Sequence, residues 1–95
     1  MRLTQSKAAF LKNAIREHLV DASIYLFGSR VHDDQRGGDI DILVIGKRKL
    51  TNQEKRNVVI AFHKKFGEQK IDIVSYPKTD DANFKHIALA DSIEL

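Results

Sequence analysis

Cysteine and tryptophan are missing from this 95-residue chain, and proline occurs once. Without cysteine there is no disulfide framework and no thiolate zinc site. That absence fits a reducing cytosol, so a cytoplasmic location is expected. Long apolar runs are missing too. No stretch approaches the roughly 20 residues a membrane span needs. The first residues, "MRLTQSKAAFLKNAIREHLV", are amphipathic and charged throughout, with no uninterrupted apolar signal-peptide core. Repeats, linkers and low-complexity segments are absent as well.

A strong charge of one sign is also lacking. Sixteen basic residues face thirteen acidic ones, a net charge of +3. That excess is too mild for a nucleic-acid-binding signature. The nearest basic patches are "GKRKL", Gly46 to Leu50, and "HKK", His63 to Lys65. They read first as a solvated loop and a polar helix face, and second as an aid in holding polyphosphate or RNA. Apolar residues at 42% and charged residues at 31% are ordinary for a globular domain. The length suits one domain, residues 1–95, with a single two-layer core.

What is present is an alternation of helix and strand patterns. Thr4 to Val20 reads as a helix, with Ala8, Leu11, Ile15 and Leu19 on one face and Thr4 or Ser6 as cap. "SIYLF", Ser23 to Phe27, is a short buried strand ended by Gly28. Val31 to Gly38 is a loop. "DIDILVI", Asp39 to Ile45, is a second strand. Asn52 to Phe66 is helical, with a Thr51-x-x-Glu54 capping box and Gly67 as its stop. "KIDIVSY", Lys70 to Tyr76, is a third strand, which Pro77 ends. Asp81 to Ala90 is a short helix burying Phe84, Ile87 and Ala88, and "SIEL" is a last strand or a loose tail. The order α-β-β-α-β-α, with a possible terminal β, predicts an α/β or α+β domain, a small mixed β-sheet flanked by helices.

Three carboxylates stand out. Asp39 and Asp41 lie at i and i+2 on a strand, hence on one face. Two like charges at the rim of a core repel each other, and a cation between them offsets the cost. Magnesium takes such oxygen ligands, often together with substrate phosphates. Asp72 sits between Ile71 and Ile73 in a strand that looks interior. If that strand pairs beside "DIDILVI", Asp72 faces the same site. Three carboxylates then suffice for two metals roughly 3.5–4 Å apart, as used for in-line attack at phosphorus. Gly28-Ser29 offers close backbone approach and a hydroxyl to phosphate, and Arg30 a charge-assisted contact. Each element also has a plain structural reading: strand-starting aspartates cap turns, Asp72 neighbours Lys70, and Gly-Ser makes ordinary turns.

Together, "FGSRVHDDQRGGDIDILV" and "KIDIVSY" resemble the nucleotidyltransferase superfamily that shares a core with DNA polymerase β. The short length is similar to the minimal nucleotidyltransferases (MNT) of bacteria and archaea. The resemblance implies that Gly28 and Ser29 contact the polyphosphate of a nucleoside triphosphate, that Asp39 and Asp41 bind Mg2+, and that Asp72 completes one metal site and positions or deprotonates the attacking hydroxyl. The implied reaction moves a nucleoside monophosphate, usually AMP from ATP, to a hydroxyl. Two departures from the pattern bear on the loop: it is shorter than in many minimal members, and His32-Asp33-Asp34 stands where many have a glycine. The Gly37-Gly38 pair is expected to absorb the difference.

Minimal members are similar in organisation to antitoxins that pair with a separate all-helical protein of the HEPN type. A HEPN-type partner is therefore implied, on size and resemblance. A second reading from a different class stays open, a weakly active or inactive module that neutralises a helical partner by covering it. A sugar or antibiotic nucleotidyltransferase acting alone is a third, against which the small size counts. His18, His32, His63 and His86 form no ligand spacing. Asp33 and Asp34 read as solvated, and Tyr25, Tyr76, Phe62, Phe66 and Phe84 fit core periodicity.

Overall fold

The computed structural model describes residues 3–27, 40–80, 83–90 and 92–95, and for residues 83, 84 and 87 the backbone alone. The elements are α1 (Gln5–His18), β1 (Ser23–Phe27), β2 (Ile40–Gly46), α2 (Asn52–Phe66), β3 (Ile71–Pro77), α3 (Asn83–Ala90) and β4 (Ser92–Glu94). The expected order holds, and "SIEL" supplies a strand.

Both long helices start on a side-chain cap. Thr4 Oγ1 accepts from the Lys7 N–H at 3.3 Å. At α2 the capping box is complete, with Glu54 N–H donating to Thr51 Oγ1 at 3.1 Å and Thr51 N–H donating to Glu54 Oε1 at 2.9 Å. Gly67 ends α2 at φ 91° and ψ 177°, a region other residues seldom enter. Nearby, His63 Nε2 lies 2.6 Å from the Gln69 carbonyl, so this histidine pins the turn that leads into β3.

The strands form one sheet in the order β3-β2-β1-β4. β1 runs antiparallel to β2 and to β4, whereas β2 and β3 are parallel. A parallel neighbour needs a crossover, and α2 provides it. The alternation along β2 and β3 sorts the two faces. Ile40, Ile42, Val44 and Ile71 join Ile24, Leu26, Leu11, Ile15, Val58 and Phe62 in the main core under α1 and α2. Leu43 and Ile45 face the other way, packing with Val74, Tyr76, Tyr25 and the α3 residues Ala88 and Leu89. Phe62 and Phe66 therefore serve the core, with Phe10 edge-on to Phe66 at 5.5 Å between ring centroids.

One expectation is corrected. β3 looks interior by composition, yet among the described strands it is the outermost on its side. Its apolar residues are explained by the layers above and below, not by a strand on each flank. Two polar contacts tie it down: the Leu50 N–H donates to the buried Ser75 Oγ at 2.8 Å, and the Lys85 ammonium of α3 donates to the carbonyls of Lys78 and Asp80 at 3.1 and 2.6 Å.

Candidate active site

The register of β2 against β3 places Asp41 directly opposite Asp72. Partners in a parallel ladder project to the same side, about 4.8 Å apart at the backbone. That side is the α3 face, because Leu43 and Val74, the next register pair of the same parity, pack there. α3 packs on this face at Leu43 and Val74, and the two carboxylates lie one register step beyond them, where no described helix packs. Asp41 is half-buried and Asp72 exposed. On its other flank Asp41 faces Phe27, the last residue before the Gly28-Ser29 pair in the chain.

The structure thus brings Asp41 and Asp72 together. Asp39, Gly28, Ser29 and Arg30 lie outside the described residues, as do His32, Asp33 and Asp34. Ala88 is buried as expected, whereas the side chains of Phe84 and Ile87 are among those not described.

The donor set of the acid pair suits a hard divalent cation. Two carboxylates on adjacent strands present only oxygen, the ligand type Mg2+ prefers. Among the described residues no cluster of three possible metal ligands occurs, so the two acids alone stand for the expected set.

Other candidates are used structurally. In "GKRKL", the Arg48 guanidinium grips Glu54 at 2.8 and 3.0 Å and also donates to the His18 carbonyl at 3.0 Å. This clamp holds the end of α1 against the start of α2. The guanidinium is the main cause that holds the Glu54 carboxyl at about 2, with the Thr51 N–H adding to it against the cost of desolvation. Sequence reasoning missed a groove between α2 and β3, lined by Lys55, Arg56 and Ile60 of the helix and by the strand from Ile71 to Ile73. Its signal was present: Ile60 falls two positions from the buried Val58 and Phe62, off the core stripe of α2.

Residues 10–95 match the family model described as polymerase beta, nucleotidyltransferase. The chain belongs to that family. No curated protein matches the sequence significantly.

Solved structures share the nucleotidyltransferase fold. A tri-AMPylated Shewanella oneidensis HEPN toxin in complex with MNT antitoxin contains a chain of TM-score 0.67 and 19% identity, the match covering 95% of this chain and 69% of that one. A mutant of the toxin–antitoxin pair MntA–HpeT matches at TM-score 0.70 and 17% identity, over 92% of this chain and 70% of that one. A further Shewanella oneidensis protein matches at TM-score 0.63 and 16% identity, over 97% and 71%. At these identities the likeness establishes the fold. It agrees with the minimal nucleotidyltransferase pattern in the sequence. Among the described residues no helix is long and apolar enough to cross a membrane.

Proposed function

We propose that this nucleotidyltransferase is Mg2+-dependent and transfers AMP from ATP to a hydroxyl of a partner protein, as the antitoxin of a HEPN-type pair. The observation that carries the reading is the Asp41–Asp72 register pair on the α3 face of the sheet. A purely structural neutraliser has no need of two acids side by side on neighbouring strands.

Asp39, Asp41 and Asp72 are the residues that would hold the metal. When bound, Mg2+ neutralises the triphosphate and the charge that develops at the α-phosphorus. Asp72 is the outer of the two described acids and the more exposed. Its assigned role is to orient the acceptor hydroxyl and take its proton. The hydroxyl oxygen forms a bond to the α-phosphorus as the bond to the bridging β-phosphate oxygen breaks, and pyrophosphate leaves. Gly28, Ser29 and Arg30 are assigned to the polyphosphate. Their place in the chain directly after Phe27, the partner of Asp41, supports this. The resemblance to chains solved with HEPN toxins supports the choice of partner, and the AMPylated toxin in one of them supports AMP as the group moved.

The test is to co-express the chain with the protein encoded beside it, purify both, and add ATP and Mg2+. The expected result is a gain of one or more AMP increments in the neighbour's mass, lost in Asp41→Asn and in EDTA. A stable complex that no nucleotide modifies would sink the transferase reading and leave neutralisation by binding.

A further inference from the structure

The outer edge of β3 has a fixed hydrogen-bond phase. The Ile40 N–H donates to the Lys70 carbonyl at 2.9 Å, and the Lys78 N–H donates to the Gly46 carbonyl at 2.7 Å. In a parallel ladder, alternate residues of a strand bond to a given neighbour. With Ile40 opposite Ile71 and Gly46 opposite Pro77, residues 70, 72, 74, 76 and 78 turn their main-chain groups toward β2. Ile71, Ile73 and Ser75 turn theirs outward. Pro77 shares the outward phase, where its missing N–H costs the sheet nothing. Among the described residues no strand pairs with this edge.

Beside the edge runs the groove under α2, about 330 Å³ in volume. Its floor and walls are Val59, Ile60, Ile71 and Ile73, with Lys55 and Arg56 on the helical rim and Asp72 on the strand. Ile60 is 44% exposed, a large apolar side chain left in water beside main-chain donors and acceptors that no described strand pairs. An extended segment laid along β3 would bond to Ile71 and Ile73 and set alternate side chains over the isoleucines.

Charge chooses among occupants. Lys55 and Arg56 favour an acidic residue in the docked segment. A second copy of this chain fits poorly, since self-pairing juxtaposes equal basic rims and equal Asp72 carboxylates. Lys70, Pro77 and Lys78 bound the edge, the kind of residues that discourage edge-to-edge association.

We propose that the β3 edge and the groove beneath α2 dock an extended segment of the acceptor polypeptide, with alternating apolar residues and an acidic one against Lys55 and Arg56, so that a neighbouring hydroxyl reaches Asp72. Its role as acceptor rests on the transferase reading above; its docking does not.

The test selects a displayed library of random linear peptides on the full chain, without nucleotide or Mg2+. Enriched peptides are expected to alternate β-branched residues and to carry an acid. Two variants then read the mode of binding to the synthesised peptides. Ile73→Pro removes an outward N–H without touching the β2 ladder and is expected to weaken binding about tenfold. The double variant Lys55→Glu, Arg56→Glu changes one half-buried and one exposed position on the rim of α2, outside the buried core, and is expected to weaken acidic peptides by at least about tenfold while admitting basic ones. Failure to enrich any peptide would overturn the proposal. So would enriched peptides indifferent to the charge reversal, RNA oligonucleotides as the sole ligand of Lys55 and Arg56, or concentration-dependent self-association that protects the Ile71 and Ile73 amides. Peptide binding that persists while AMP transfer fails counts against the transferase reading alone.

Discussion

Ser75→Ala removes one oxygen atom and should cost far more than its size suggests. Ser75 is 3% exposed and Leu50 4% exposed, and the Leu50 N–H donates to Ser75 Oγ at 2.8 Å. Alanine would strand that amide in a place water does not reach. An orphaned buried donor costs about 1–3 kcal/mol. For a chain of 95 residues, the unfolding entropy is roughly 0.2 kcal/mol per kelvin, so Tm should fall by about 5–15 °C. Ser92→Ala is the control. Its hydroxyl donates to the Leu89 carbonyl at 2.9 Å but is only part-buried, so water can replace it, and the expected fall is about 5 °C or less. Thermal melts followed by circular dichroism make the comparison, with hydrogen exchange at the Leu50 amide as the local readout. A Ser75→Ala fall under about 2 °C, or one no larger than that of Ser92→Ala, would refute the reasoning.

Asp72→Asn and Asp41→Asn are each expected to abolish any Mg2+-induced rise in Tm and to cut AMP transfer by about a hundredfold or more, checked by melts with and without EDTA and by intact mass. Gly46→Ala should destabilise by about 1–3 kcal/mol in urea titrations, because a Cβ there would sit 2.6 Å from Leu19 Cδ2 and 3.0 Å from its Cγ. Gly67→Ala meets no atom but must hold φ 91°, and about 1 kcal/mol or more is expected from backbone strain alone. Glu54, whose carboxyl is lowered from 4.5 to about 2, favours the folded state fully above pH 4.5 and loses that effect as pH falls toward about 2. Arg48→Ala should narrow this window, so the stability gap between wild type and variant should shrink across that range in acid-unfolding curves.

Local rules fixed most of the element boundaries. The Thr51–Glu54 box, Gly67 and Pro77 each act within a turn of their own position, and α2 begins and ends where they direct. The two faces of β2 and β3 were legible for the same reason, since side-chain alternation follows from the backbone. What could not be read was which strand lies outermost. Ile71, Ile73 and Val74 look like central-strand residues because α2 and α3 sandwich them, and flank exposure leaves no mark on that pattern. The pairing of Asp41 with Asp72 was a conditional expectation that depended on β3 lying beside β2. It is a tertiary fact, set by the crossover. Lys85 gave no warning of its burial. A lysine between Phe84 and His86 reads as surface until the carbonyls of Lys78 and Asp80 are placed around its ammonium.

The two described acids come from strands separated in the chain by the whole of α2. Neither strand can present the pair until the parallel ladder has closed over that helix, and closures of this non-local kind are slow to form. A nascent or partly unfolded chain therefore carries both aspartates without bringing them side by side. Under the Mg2+ reading proposed above, ion capture would gauge how far assembly has gone: a chain that took up the metal would already have joined its first half to its second.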